Sequence, residues 1–109
     1  MPPTLIGPYR LLSLGDGDDV TFVPARYELG EGINPHGILQ RDARTPMLRV
    51  WMVARRGQVD VDYLDFTSGR LVAELPAVLE EFAGTGARIK VHADGWPPRV
   101  IYSISVEPA

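Results

Sequence analysis

The sequence predicts an α+β fold: an antiparallel sheet of about three hairpins, with one main helix packed on one face of the sheet. Short apolar runs alternate with polar residues and are separated by turns rich in Gly and Pro, which is typical of antiparallel strands. Only the stretch 70–84 has apolar residues at clear helical spacing. The expected order is β-β-(short α)-β-β-α-β-β. At 109 residues, we expect a single unit over 1–109, with loose termini at 1–7 and 107–109.

The first predicted hairpin turns in a cluster of Gly and Asp residues. Apolar runs at 9–14 and 20–23 flank the cluster at 15–19, so the two runs are expected to pair with each other. Pro24 has no amide hydrogen to donate to a ladder. We therefore expect the second strand to be an edge strand or to end in a bulge at Pro24.

The region 30–46 is predicted to be mostly a connection. Asn34 could be an N-cap with Pro35 at the first helical position, and Ile33 could pack against Ile38. One or two helical turns are expected there, although Gly37 weakens the pattern.

The hairpin at 47–66 is predicted together with its register. A turn at 56–57 puts apolar side chains of both strands on one face of the sheet. The predicted pairs are Ala54 with Val59, Met52 with Val61 and Val50 with Tyr63.

The main helix is predicted over about 70–84. Its apolar face consists of Leu71, Leu75, Val78, Leu79 and Phe82. Ser68 is a candidate N-cap, and the glycines of 84–86 are a stop signal. Because Pro76 removes one backbone hydrogen bond, the alternatives are a distorted helix from about 70 or a helix that begins at Pro76.

A last hairpin is predicted around a turn at 94–98. Its inner face is expected to carry Ile89, Val91, Ala93, Val100, Tyr102, Ile104 and Val106. Trp96, in the turn, is expected to fold back over the core, and a ligand-stacking role is the alternative.

The composition excludes several classes of function. The chain has no Cys, which excludes disulfides, zinc–thiolate and iron–sulfur sites, and thiol catalysis. We expect no cofactor and no metal. No pattern of a signal peptide or membrane span is visible, so a cytoplasmic location without a membrane partner is expected.

The outer face of the predicted sheet is the candidate partner-binding surface, and the alternatives are a solvated face or coverage by the N-terminal hairpin as a second layer. It combines Trp and Arg residues, which are enriched in binding hot spots, with further apolar side chains. The predicted partner-binding residues are Arg49, Trp51, Val53, Arg55, Arg88 and Ile101. They favour a non-catalytic protein-interaction module, such as an adaptor, an inhibitor or immunity-type partner, or a small subunit of an assembly. A homodimer through sheet-edge pairing is a further expectation, because Pro24 protects only one candidate edge.

Two alternatives remain open. A small enzyme or ligand-binding domain would use His36, His92 and Asp94, with Arg88 or Arg49 holding an anion. A nucleic-acid contact would use the arginines of the basic segment 38–57, although the net charge of -3 argues against a general nucleic-acid binder. These arginines are Arg41, Arg44, Arg55 and Arg56.

Overall fold

The chain folds into seven strands and one helix within the part that the structure describes. This computed structural model describes residues 3–33, 44–53, 63–96 and 99–109. The strands are β1 (Thr4–Leu5), β2 (Asp19–Phe22), β3 (Pro24–Ile33), β4 (Arg44–Met52), β5 (Tyr63–Phe66), β6 (Arg88–Asp94) and β7 (Ile101–Glu107), and the helix is α1 (Gly69–Phe82). The predicted α+β class is confirmed.

The strands divide between two sheets. One has the order β1-β3-β4-β5, and the other has the order β2-β6-β7. Every strand pair is antiparallel except β1 with β3. The chain crosses between the sheets where β2 ends at Phe22 and β3 begins at Pro24, and the β3–β4 register shifts between Pro24 and Arg26. The expected interruption at Pro24 is therefore confirmed, and β2 is an edge strand.

The apolar core lies where the two sheets and the helix meet. The helix contacts β3 and β4 of the first sheet and β7 of the second. The buried cluster consists of Phe22, Leu48, Val50, Phe66, Leu71, Leu75, Leu79, Ile89 and Val91. The helix and both sheets therefore pack around a single core, and β4 is buried on both faces between Met47 and Val50.

The helix follows the prediction closely. It spans Gly69–Phe82 with Pro76 inside it, so the alternative start at Pro76 is wrong. Ser68 is at the N-cap position, although its side chain makes no capping hydrogen bond. Gly84, with φ of 78°, ends the helix, and its N–H donates to the carbonyl oxygen of Pro24 at 2.9 Å. The end of α1 is thereby tied to the start of β3.

Tyr27 and Glu80 connect β3 to the outer side of the helix. The Tyr27 hydroxyl donates a hydrogen bond to Glu80 Oε2 at 2.6 Å. This hydrogen bond raises the pKa of Tyr27 above its ordinary value, with smaller contributions from desolvation and from the carboxylate charge.

The predicted register of the 47–66 hairpin is wrong by one residue. Val50 lies opposite Leu64 rather than Tyr63, and Leu48 lies opposite Phe66. The predicted register would have placed Leu48 opposite Asp65, whereas the observed one puts apolar pairs on the core face. The predicted pairs that include Ala54, Val59 or Val61 lie outside the described residues.

The predicted pairing of 9–14 with 20–23 is also wrong. β2 pairs with β6 instead, and Leu11 bridges Asp65 of β5 in parallel. The turn near 15–18 does form, with the Asp18 N–H donating to the Gly15 carbonyl oxygen at 3.1 Å. Leu12 and Leu14 pack against the core, so this segment covers the core and the outer side of β5 instead of pairing with β2.

The expected connection at 30–46 is shorter than predicted. β3 continues to Ile33 and β4 begins at Arg44, with Gly32 opposite Thr45. The predicted short helix near 34–39 lies outside the described residues.

The last hairpin has the predicted faces. Ile89, Val91 and Ala93 of β6 lie opposite Val106, Ile104 and Tyr102 of β7. Trp96 differs from its prediction, because its side chain is 67% exposed rather than folded over the core. Trp96 lies two residues beyond the end of β6, outside the part of the chain that belongs to the sheet.

The N-terminal segment is ordered against the first sheet. Leu5 is buried in β1, and β1 pairs with β3 in parallel. The Tyr9 hydroxyl donates to the Leu5 carbonyl oxygen at 2.7 Å and accepts from the Ile33 N–H at 3.0 Å. At the other end, Glu107 belongs to β7, and only 108–109 lie beyond the strand.

Gly30→Ala is expected to detach the N-terminal segment. A Cβ at position 30 would lie 2.3 Å from the Pro3 carbonyl oxygen, a backbone atom that can move only if β1 moves. Such a clash costs about 1–3 kcal/mol of unfolding free energy. Limited proteolysis should show faster cleavage before Tyr9. Gly69→Ala is the matched control, because its Cβ would meet open space, and equal cleavage of the two variants would contradict the prediction.

Candidate functional site

Three of the four edge strands in the described part of the chain are protected against pairing with another chain. β1 has two residues, and β2 has four and ends two residues before Pro24. The outer side of β5 is occupied by the segment 10–12. The backbone N–H of Asp65 donates to the Arg10 carbonyl oxygen at 2.9 Å, and the backbone carbonyl oxygen of Asp65 accepts from the Leu12 N–H at 3.0 Å. Short length, proline and coverage by another segment are the usual protections of natural sheet edges.

The fourth edge strand, β7, has none of these protections. It is seven residues long, contains no Gly or Pro, and pairs with β6 along its whole length without a bulge. Within the ranges that the structure describes, no backbone hydrogen bond reaches β7 from any element except β6. Among the described residues, its outer row of backbone N–H and C=O groups has no backbone partner.

The inward side chains of β7 are covered on one side only. Tyr102, Ile104 and Val106 are half-buried, whereas their β6 neighbours are fully buried. The sheet ends at β7, so apolar surface of these three side chains remains accessible beside the free backbone edge. A strand added at this edge would gain backbone hydrogen bonds and bury apolar surface together.

Exposed apolar side chains mark one end of β7. Ile101, the first residue of the strand, is 58% exposed and lies opposite Asp94 of β6. Exposed Trp96 follows β6 in the same connection. The outward side chains of Ser103 and Ser105 continue the strand's exposed row. The free edge thus has one apolar end and a small, polar middle.

Arg49 is buried, so its predicted exposure on an outer face is wrong. Its side chain lies beneath the N-terminal segment and donates to both carboxylate oxygens of Asp65, at 2.7 and 3.2 Å. It also donates to the Ile6 carbonyl oxygen at 2.9 Å and lies over the Tyr63 ring, 4.4 Å from its centroid. Burial lowers the pKa of Arg49, but the hydrogen bonds and charge of Asp65 outweigh this effect and raise it.

The other predicted partner-binding residues do not form one patch. Trp51 is half-buried beneath Arg26, whose guanidinium carbon lies 3.7 Å from a ring centroid of the indole. Val53 and Arg88 meet in a groove of about 430 Å³ between the sheets. Arg88 begins β6 and Ile101 lies opposite the last residue of that strand, so they are at opposite ends of the hairpin. Arg55 lies outside the described residues.

The alternative acid–base cluster is partly present. His92 Nε2 lies 3.1 Å from Asp94 Oδ1, and His92 Nδ1 lies 3.7 Å from Asp19 Oδ2. His36 lies outside the described residues, and the guanidinium of Arg49 is bonded to Asp65 and to the Ile6 carbonyl oxygen. In the described ranges, no group of three His, Cys, Asp or Glu side chains is arranged to hold a metal ion.

Arg44 is the one residue of the alternative nucleic-acid surface that the structure describes, and it forms an ion pair with Glu31 at 3.6 Å. The remaining arginines of that surface, Arg41, Arg55 and Arg56, lie outside the described ranges. For the described residues, no helix is long and apolar enough to cross a membrane.

Comparison with protein-family models, curated proteins and solved structures finds no match to this chain. The functional conclusion therefore depends on the geometry of the chain itself. Sequence reasoning did not identify β7 as the free edge, because strand order within a sheet depends on tertiary pairing. The lack of Gly, Pro and Lys between 101 and 107 was the signal that could have indicated it.

Proposed function

We propose that this chain is a non-catalytic protein-interaction module that binds an extended strand of a partner protein along β7. The observation that carries the proposal is the difference between β7 and the other edges. Three edges are short or covered, and β7 offers seven residues of regular backbone that no other described segment covers. Natural proteins protect edges of this kind unless the edge has a partner.

The energetics of strand addition support this role. Each backbone hydrogen bond contributes about 0.5–1.5 kcal/mol net, so several formed along β7 offset a large part of the entropy lost on association. Burial of the remaining apolar surface of Tyr102, Ile104 and Val106 adds to the free energy of binding. Exposed Ile101 and Trp96 would then contribute specificity at one end of the strand.

A reducing, cytoplasmic location fits this module. The chain has no Cys, so its stability requires no oxidising compartment. The interior is held by the buried apolar core and the Arg49–Asp65 ion pair, without a covalent cross-link.

Photo-crosslinking from β7 in living cells tests the proposal. A photoreactive amino acid at position 103 or 105 replaces an exposed serine on the free edge. Ser13 is also exposed but lies outside every strand, so position 13 is the matched control. We expect discrete covalent adducts from positions 103 and 105, identified by mass spectrometry, and none from position 13.

The same measurement can reject the proposal. If neither edge position yields an adduct while circular dichroism shows a folded chain, β7 has no partner in the cell. Equal adducts from positions 13 and 103 would likewise contradict a function that is specific to the edge.

A further inference from the structure

We infer that the strand bound by β7 is β7 of a second copy, paired antiparallel about a two-fold axis at Ile104. This inference depends on the proposed function, because it names the partner of the same edge. The result would be a six-stranded sheet built from two copies of β2-β6-β7. Such an isologous contact uses one surface patch twice, which is the commonest symmetry of soluble oligomers.

Between 102 and 106 the residue pattern of β7 is symmetric about Ile104. In this register each position n lies opposite position 208 − n of the second copy. Ile104 meets Ile104, Ser103 meets Ser105, and Tyr102 meets Val106. Every apolar inward side chain therefore meets an apolar one, and every small polar outward side chain meets another.

The charge of the strand favours the antiparallel arrangement. Glu107 is the one charged residue of β7. An in-register parallel pair would place the two Glu107 carboxylates side by side, and like charges in that position are destabilising. In the antiparallel register each Glu107 lies opposite Ile101, and the two carboxylates are about 20 Å apart at 3.3 Å per residue. Each Glu107 also keeps its cross-strand neighbour Arg88 on β6.

The inward row of the second sheet would become continuous across the two-fold axis. Ile89, Val91 and Ala93 are fully covered because β6 has a neighbour on each side. Pairing of two β7 strands would give Tyr102, Ile104 and Val106 the same environment. A second copy thus supplies what β7 lacks, namely backbone partners on its free side and apolar cover for its inward side chains.

Disulfide formation between engineered cysteines tests both the partner and the register. The chain has no native Cys, so any disulfide must join engineered positions. The test uses Ser103→Cys, Ser105→Cys and an equal mixture of the two purified full-length variants. Both substitutions exchange one exposed, small side chain for another on the outward face, and circular dichroism checks that each variant folds.

The mixture is expected to cross-link, and the single variants are not. Directly opposite residues have Cβ atoms about 4.5–5.5 Å apart, whereas diagonal neighbours are about 7–8 Å apart, too far for a disulfide. With random exchange of subunits, about half of the pairs in the mixture contain one chain of each kind. We therefore expect covalent dimer in the mixture to exceed that of either variant alone by about fivefold or more. Ser13→Cys controls for random collision.

Three results would overturn the inference. Cross-linking of Ser103→Cys alone, or of Ser105→Cys alone, at the level of the mixture would indicate another register. Cross-linking no stronger than that of Ser13→Cys would show that the copies do not pair at β7. If cross-linking is no stronger than that of Ser13→Cys, photo-adducts of β7 with a different protein would leave the proposed function intact. An absence of any photo-adduct would then reject both the proposed function and the pairing of two copies.

Discussion

Replacing Asp65 with alanine is expected to lower the free energy of unfolding by about 3–5 kcal/mol, because the change leaves the buried guanidinium of Arg49 without its counter-charge. Asp65 is fully buried and accepts two hydrogen bonds from Arg49. It also accepts the Arg10 N–H at 2.9 Å. All three donors would lose their acceptor, and the two on Arg49 are buried. Urea unfolding followed by circular dichroism measures the loss.

Glu74→Ala is the matched control for Asp65→Ala. Glu74 pairs with Arg70 at 3.3 Å, but both side chains are about half exposed, so the pair should contribute no more than about 0.5 kcal/mol. The double variant Arg49→Met with Asp65→Leu should lose less stability than Asp65→Ala, because it leaves no unpaired charge inside. A loss below about 1 kcal/mol for Asp65→Ala would contradict the structural role of this pair.

Leu75→Ala is expected to cost about 2–5 kcal/mol, since it removes a fully buried side chain where the helix packs against the core. Leu75 lies one helical turn from both Leu71 and Leu79, which are also buried, so its neighbours cannot easily fill the space. Thermal unfolding at fixed protein concentration measures the effect.

Leu29→Ala makes the same chemical change at an exposed position. Leu29 is 47% exposed on β3, so its truncation should cost less than about 1 kcal/mol. Equal losses for Leu75→Ala and Leu29→Ala would mean that the core does not lie between the helix and the sheets.

Local patterns predicted the elements that depend on local chemistry. The helix was found because Leu71, Leu75 and Leu79 recur at a spacing that belongs to the helix itself, and because Gly84 stops it. The faces of the last hairpin were found for the same reason, since alternation needs no knowledge of a neighbouring element. The exposure of Trp96 was predicted wrongly, because the exposure of a turn residue depends on which other segments of the chain pack around it.

The candidate site was predicted only in part. Ile101 was correctly placed on an exposed face, but Arg49 was not, although both belong to outward rows of alternating strands. The difference lies in the N-terminal segment, whose Ile6 carbonyl oxygen accepts a hydrogen bond from Arg49 on the outer face of the first sheet. The sequence allowed both an exposed outer face and one covered by the N-terminal hairpin, and only the tertiary structure decided between them.

The sequence by itself determined the α+β class, the helix and which residues of β6 and β7 face inward, because each of these follows from a period of two or 3.6 along the chain. Only the tertiary structure decided the register of β4 against β5, the division into two sheets and the exposure of β7. These depend on interactions between residues far apart in sequence. The pairing of Arg49 with Asp65 belongs to the observed register of β4 against β5. The Arg10 carbonyl oxygen and the Leu12 N–H bond to the outer side of β5, so β7 is the free edge among the described strands.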